Sequence, residues 1–152
     1  MIEKLRQLLE IDDDVQKLGR DLWDVLGPNI DTVLDTFYRR VRQAGMEPRL
    51  SDAAIERLKA KQRQHWELLF RIRFDDRYVA GARRVGIRHR DVGLDIASYI
   101  AGYAALKIEF VNVIVQTHLP VLTKGLLIKT LDKYVAFDMA HAMSIYEAAI
   151  VD

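Results

Sequence analysis

The stretch DRYVAGARRVGIRHRDVG, Asp76 to Gly93, decides the fold of this chain. On a helical wheel of about 100° per residue, four apolar residues and one histidine of this stretch fall within an arc of about 80°; they are Tyr78, Ala82, Val85, His89 and Val92. The charged residues between Arg83 and Asp91 fall outside that arc. A histidine within a buried stripe must satisfy its ring nitrogens with hydrogen bonds or with a metal. His89 is therefore either a core histidine bonded to a backbone carbonyl or the ligand of a metal.

The rest of the chain has the pattern of helices. Apolar residues recur at i, i+3, i+4 and i+7, and no segment shows sustained alternation with β-branched residues. Gly27-Pro28, a loop at 45–51 and Leu119-Pro120 are the clearest breaks. We predict an all-α fold in a single domain, 1–152, with helices at 2–10, 12–26, 29–44, 52–70, 76–92, 95–119 and 123–150.

Composition excludes several classes of protein. The 152 residues contain 23 Lys and Arg against 22 Asp and Glu, so no net charge attracts nucleic acid or a membrane surface. There is no cysteine, which excludes disulfides, thiolate metal sites and covalent haem attachment. The longest uncharged stretch, 110–123, is shorter than the roughly 20 residues of a membrane span. The start carries charge from Glu3 onward, unlike a signal peptide. We expect a cytoplasmic protein.

The usual enzyme motifs are also missing. No Glu is followed by His three residues later, and no two His residues are four apart, so di-iron and zinc-protease helices are excluded. The glycines form no phosphate-binding loop, and no serine lies in a nucleophile elbow. We therefore expect a binding domain and no catalytic residues. Haem, which needs one protein ligand and an apolar crevice between helices, is the common metal site that such a chain can build.

A longer pattern of residues resembles the signature of the sensor globins. These are the globin domains of globin-coupled sensors, related to protoglobins and to the haem domain of bacterial aerotaxis transducers. The most specific piece is hydrophobic-Gly-x-x-His-x-x-hydrophobic-Gly-Leu, which here spans Val85 to Leu94. The similarity runs without obvious gaps from Arg57 to Tyr103 and includes Phe37-Tyr38 on an earlier helix. Its matching residues are Leu58-Lys59, His65-Trp66, Leu69-Phe70, Phe74-Asp75-Asp76, Tyr78, Val85-Gly86, His89, Val92-Gly93-Leu94, Tyr99 and Tyr103.

The resemblance implies a globin fold of the sensor type, with a short N-terminal helix and no D helix. It implies haem b held by His89 as the proximal iron ligand, and Tyr38 as the distal hydrogen-bond donor to bound O2. The other residues expected around the cofactor are Phe37, Leu58, Lys61, Gln62, His65, Leu69, Val85, Val92, Tyr99 and Tyr103.

Three of these residues leave alternatives open. Gln62 is a polar amide in an apolar stripe, so it either faces the ligand or is a partly exposed neutral side chain. His65 is either a sixth iron ligand or an ordinary pocket residue. Lys61 stands where family members often carry a small hydroxyl or a leucine, which leaves the distal pocket beyond Tyr38 undetermined.

The function implied is a haem-based gas sensor with a pentacoordinate iron, for which O2 is the favoured ligand and CO and NO are others. The wide apolar stripes of helices 95–119 and 123–150 predict either internal helices or a homodimer interface that relays ligation to an output domain outside this chain. Two alternatives remain: a stand-alone globin that binds or detoxifies oxygen or nitric oxide, and a haem-free helical dimerisation module.

Overall fold

The computed structural model describes residues 2–46, 50–71, 76–91 and 93–151, with side chains described as far as residue 144. Within these residues seven α-helices follow one another: α1 (Ile2–Leu8), α2 (Asp13–Leu26), α3 (Ile30–Gln43), α4 (Asp52–Arg71), α5 (Asp76–Asp91), α6 (Ile96–Val115) and α7 (Val121–Val151). A 3₁₀ turn at Gly27–Asn29 joins α2 to α3. No strand occurs in the described residues, so the predicted all-α class is confirmed.

The junction between α6 and α7 differs from the prediction. We expected the helix to continue to residue 119, but α6 ends at Val115. The residue before a proline is disfavoured in helical conformation, and here the chain turns earlier because the Thr117 hydroxyl bonds to the Ile114 carbonyl at 2.7 Å. The Pro120 carbonyl then accepts the Lys124 amide at 3.0 Å, so that α7 begins at Val121, two residues earlier than predicted.

Polar side chains at the N-terminal ends of three helices satisfy free amides there. Asp12 accepts the Val15 amide at 2.9 Å at the start of α2. Ser51 accepts the Ala54 amide at 3.1 Å before α4, and Asp95 accepts the Ser98 amide at 2.8 Å before α6. Such caps stabilise a helix by about 1 kcal/mol each.

Gly93 ends α5 in the left-handed conformation, with φ at 78°. Its amide bonds to the Arg90 carbonyl at 2.9 Å, and the Leu94 amide reaches back to the His89 carbonyl at 3.1 Å. This arrangement is the usual glycine-terminated helix end. It fixes the backbone of the last turn of α5, which carries His89.

The core lies between α7 and the helices α2, α5 and α6 that pack on it. Aromatic rings fill its centre. The ring centroid of Trp66 lies 5.9 Å from that of Phe70 and 5.3 Å from that of Phe110, and the centroids of Phe70 and Tyr134 are 5.4 Å apart. A second layer, α3 with α4, closes against α2 and α6. Between this layer and α5 the packing leaves a cavity.

Candidate functional site

A cavity of about 410 Å³ opens between α3, α4, α5 and α6. Its size falls within the range of small-molecule and cofactor sites. Ten of the residues singled out from the sequence line it: Phe37, Tyr38, Leu58, Lys61, Gln62, His65, Val85, His89, Tyr99 and Tyr103. Leu69 instead lies fully buried in the core beside Phe70. Val92 lies outside the described residues.

His89 presents a neutral imidazole to this cavity. Its Nδ1 lies 2.8 Å from the Val85 carbonyl oxygen one turn earlier. A carbonyl only accepts, so Nδ1 carries the hydrogen and Nε2 keeps a lone pair. Burial is the main cause that lowers the His89 pKa, and the nearby Arg88 charge adds to it, while the bond to Val85 acts in the opposite direction. An imidazole with this tautomer and charge state is the form that ligates metals.

Tyr38 on α3 contributes a buried phenol to the same cavity. Burial raises the pKa of Tyr38 to about 12, and hydrogen bonding with the Gln62 side chain lowers it by a smaller amount. The hydroxyl therefore keeps its proton at neutral pH and can act as a donor. Its ring packs edge-on against Phe37, with centroids 5.1 Å apart.

Gln62 and Trp66 form a polar pair on α4 at the wall of the cavity. The Trp66 indole N–H donates to Gln62 Oε1 at 2.7 Å, across one helical turn. Trp66 itself is buried and stacked in the aromatic core. Gln62 thus lines the cavity with a side-chain amide whose oxygen accepts a hydrogen bond from Trp66.

Asp138 of α7 is a fully buried carboxylate that also lines the cavity. It accepts hydrogen bonds from the Tyr78 hydroxyl at 2.5 Å, the Tyr103 hydroxyl at 2.8 Å and His65 Nε2 at 2.9 Å. Burial alone would raise the Asp138 pKa, but the charge and hydrogen bond of His65 and the two hydroxyl donors outweigh it and lower the pKa. The carboxylate is therefore ionised at neutral pH.

His65 shares in this pairing. Burial, the largest effect, lowers the His65 pKa, and the charge and hydrogen bond of Asp138 together overcome it, so the net shift is upward. Because Nε2 is engaged by Asp138, binding to a metal through that atom would require the contact with Asp138 to break.

Three cations line the cavity from exposed positions: Arg57 and Lys61 on α4, and Arg88 on α5. Their exposure places them where the cavity meets solvent, whereas the inner lining is mainly apolar. This distribution suits a ligand with an apolar body and acidic groups at one edge.

The described residues contain no group of three or more His, Cys, Asp or Glu that could hold a bare metal ion. A metal bound by the single imidazole of His89 must therefore bring most of its own ligands. Haem does so, and its porphyrin and two carboxylates match the apolar lining and the basic rim. The residues present therefore fit haem: they offer one imidazole to the iron, an apolar lining to the porphyrin and a basic rim to the carboxylates.

Sequence reasoning missed several cavity residues, of which Asp138, Trp66, Arg57 and Arg88 bear most on the chemistry. Asp138 had a signal: it lies four residues after Tyr134 and seven after Leu131, so it falls on the buried face of a long apolar helix. A charged residue there needs partners. Which helices supply those partners depends on the tertiary arrangement, which the helical pattern does not specify.

Comparison with known proteins bears on the family and the fold of the chain. The sequence model of the protoglobin family matches residues 1–151. Among solved structures, the globin domain of a Geobacter sulfurreducens globin-coupled sensor superposes with a TM-score of 0.80 at 15% sequence identity, covering 95% of this chain and 96% of that one. The predicted globin fold is therefore confirmed. No curated protein sequence matches the chain.

Proposed function

Because the chain belongs to the protoglobin family, we propose that its cavity binds haem b, with His89 as the proximal ligand, and that the bound gas it senses is O2. The observation that carries this proposal is the neutral imidazole of His89, held through Nδ1 by Val85, on the wall of an apolar cavity that also contains the protonated hydroxyl of Tyr38. As a sensor globin, the domain binds a ligand and leaves catalysis to other domains.

The residues of the chain would hold haem at two places. His89 would ligate the iron through Nε2, while its bond to Val85 keeps the ring from rotating. Arg57, Lys61 and Arg88 at the cavity mouth would pair with the two propionates, and the apolar lining would exclude water. Haem, when bound, supplies the iron that takes up the gas.

Tyr38 gives the site its preference for O2. Bound O2 carries partial negative charge, and a hydrogen bond to such a group is worth about 1.5–3 kcal/mol. That is roughly 10- to 150-fold in ligand retention. Carbon monoxide carries less charge and benefits less from the same donor.

An apolar face on α6 and at the start of α7 supports a homodimer. Large apolar side chains are exposed there: Ile96, Ile100, Ile108 and Val115 on α6, and Val121, Leu122 and Leu126 on α7. The four on α6 fall within about 120° of the helical wheel. A second copy of this chain that covers the face would couple the two cavities through α6, because Tyr99 and Tyr103 on the same helix line the cavity. Ligation would be relayed through this interface to a signalling output.

The described helix α6 is also long and apolar enough to cross a membrane, judged by length and composition. Its other face is buried in the core through Tyr99, Leu106, Phe110 and Ile114, and Arg40 pairs with Glu109 in its middle. We therefore propose packing between subunits for its exposed face, and a cytoplasmic location.

The absorption spectrum of the purified protein tests haem binding. We expect a Soret band in the wild type and in His118→Ala, where an exposed histidine between α6 and α7 is removed. His89→Ala should lose most of the band because no other imidazole of the cavity is free to replace it. A colourless wild type that refuses added hemin, or a His89→Ala protein with an unchanged spectrum, would contradict the proposal.

Gas dissociation rates test the role of Tyr38. Tyr38→Phe removes the hydroxyl and keeps the ring, so O2 should leave roughly 10- to 150-fold faster. The change for CO should be much smaller. Equal changes for both gases would remove Tyr38 from the distal role.

A further inference from the structure

We propose that Tyr103 is a redox-active residue, which gives up one electron when hydrogen peroxide reacts with the haem-loaded protein, and that Asp138 takes its proton. The proposal rests on the proposed function, since the electron leaves Tyr103 toward the bound haem. It adds a stoichiometric reaction with hydroperoxides to the gas binding proposed above.

Tyr103 on α6 and Asp138 on α7 form a phenol–carboxylate pair at the wall of the cavity. The Tyr103 hydroxyl donates to Asp138 Oδ2 at 2.8 Å, and both residues line the cavity. Asp138 is 1% exposed, so bulk water does not compete for its lone pairs. The pair therefore keeps a base in contact with the hydrogen that a phenol must lose when it is oxidised to a neutral radical.

The carboxylate of Asp138 is held in one orientation by two further contacts. The Tyr78 hydroxyl donates to Oδ1 at 2.5 Å, and His65 Nε2 lies 2.9 Å from Oδ2. Of the two tyrosines that donate to Asp138, Tyr103 lines the cavity and Tyr78 does not. Tyr103 therefore combines a bound base with a place on the cavity wall.

A series of aromatic rings leads from Tyr103 to the proposed iron ligand. The ring centroids of Tyr103 and Tyr99 are 5.3 Å apart, and those of Tyr99 and His89 are 4.7 Å apart. Rings at such separations are packed against one another. These contacts give an electron a continuous route from Tyr103 through the imidazole to the cofactor.

The reaction balances once hydrogen peroxide is supplied as the oxidant. Reduction of the peroxide to two waters takes two electrons, one from the cofactor and one from Tyr103, and two protons from solvent. In the same reaction the O–H bond of Tyr103 breaks, its proton moves to Asp138 Oδ2, and a neutral phenoxyl radical remains. An oxidised phenol is a much stronger acid than the phenol itself, so the carboxylate takes this proton although its own pKa is lowered.

Electron paramagnetic resonance of rapidly frozen samples tests the site of oxidation. Ferric haem-loaded protein mixed with hydrogen peroxide should give a tyrosyl radical signal, which should narrow when the protein is grown with ring-deuterated tyrosine. Tyr103→Phe should lose most of this signal. Tyr134→Phe is the matched control, because it removes the hydroxyl of another tyrosine that is buried but does not line the cavity. It should keep the signal of the wild type.

Asp138→Asn tests the proton acceptor, because it keeps the shape of the side chain and removes the base. A positioned base contributes about 100- to 10,000-fold in rate, so the radical should form more slowly by a factor in that range. If Asp138→Asn does not fold, the wild type decides the point. Its radical should form more slowly in heavy water than in ordinary water, because an O–H bond breaks, and equal rates would contradict the transfer to Asp138.

A structural measurement needs no peroxide. In the proton magnetic resonance spectrum of the CO-bound protein, hydroxyl hydrogens bonded to a buried carboxylate should resonate downfield of the backbone amides. Tyr103→Phe should remove one such resonance, and Tyr78→Phe should remove another. A Tyr103→Phe spectrum that keeps both would show that Tyr103 does not donate to Asp138, which overturns the proposal.

The outcomes separate this proposal from the proposed function. If the wild type takes up no haem, the proposed function fails and the redox role of Tyr103 fails with it. If haem is bound through His89 but peroxide gives no tyrosyl signal, only the redox role is overturned. A signal that survives in Tyr103→Phe, or that disappears in Tyr134→Phe, overturns it as well.

Discussion

At the scale of single residues, the surroundings of the two cavity histidines shift their pKa values in opposite directions. Burial, with a smaller contribution from the Arg88 charge, lowers the His89 pKa, and the bond to the Val85 carbonyl offsets only part of this, so the ring stays neutral. His65 bonds to the ionised Asp138, so its pKa rises and it holds a proton more firmly. The first state suits metal ligation and the second suits a structural ion pair. The hydrogen-bond partners of the two imidazole rings, rather than the extent to which the rings are buried, distinguish their roles.

The His65–Asp138 pair should make stability depend on pH in a defined direction. A folded-state pKa raised above the unfolded value of 6.5 means that the pair contributes fully below pH 6.5. The contribution is then lost as the pH rises through the folded pKa of His65. We expect the difference in the free energy of unfolding between wild type and His65→Gln to be constant in mildly acidic solution and to shrink above pH 6.5.

Urea unfolding of the haem-loaded protein, followed by circular dichroism across that range, measures this difference. His118→Gln is the control and should follow the wild-type profile. A wild-type advantage that grows as the pH rises would show that His65 is neutral in the folded protein.

At the scale of helices, α2 approaches α7 closely because Gly19 has no side chain. A Cβ at Gly19 would lie 2.8 Å from the Tyr134 hydroxyl oxygen and 2.9 Å from two of its ring carbons. Tyr134 is buried, and its ring packs on Phe70, so it has no free space to move into. The distance between these two helices is therefore determined by one glycine and one tyrosine.

Gly19→Ala should destabilise the protein by about 1–3 kcal/mol, the cost of an extra methyl group in a packed core. Gly81→Ala is the matched control on α5, away from the proposed dimer interface: the nearest atom to the added Cβ is the tip of the flexible Arg84 side chain, at 3.8 Å. Because alanine is the better helix former, Gly81→Ala should stabilise by about 0.5–1 kcal/mol. Thermal unfolding compares the two, and a Gly19→Ala protein as stable as the wild type would contradict the close approach.

At the scale of the whole molecule, the helices and the fold were predictable because their signals are local or lie in one long pattern of residues. The apolar period, the caps and the segment from Val85 to Leu94 all act within a few turns of helix. Leu69 shows where such reasoning stops. It shares a helical face with Gln62, but seven residues separate them, about 10 Å along the axis. The cavity ends within that distance, and Leu69 belongs to the core instead.

The polar residues deep in the cavity were less predictable for the same reason. Asp138 is stabilised by donors from α4, α5 and α6, which come together only in the folded chain. Likewise, the sequence places Gln62 and Trp66 on one face, but the hydrogen bond between them depends on how the core holds the indole.

The exposed apolar face on α6 and α7 predicts that two copies of the chain assemble through it. Val121 and Leu122 are 83% and 84% exposed, and Ile108 is 53% exposed in the middle of α6. A stable dimer buries about 800 Å² on each partner, which requires both helices to take part.

Ile108→Glu introduces a charge at the centre of such an interface, where it would be desolvated without a partner. We expect this variant to sediment as a monomer in analytical ultracentrifugation while it keeps the Soret band of the wild type, because Ile108 does not line the cavity. Leu8→Glu adds the same charge at an exposed leucine of α1, outside the proposed interface, and should remain a dimer. A wild type that sediments as a monomer, or an Ile108→Glu protein that stays dimeric, would assign this face to another partner.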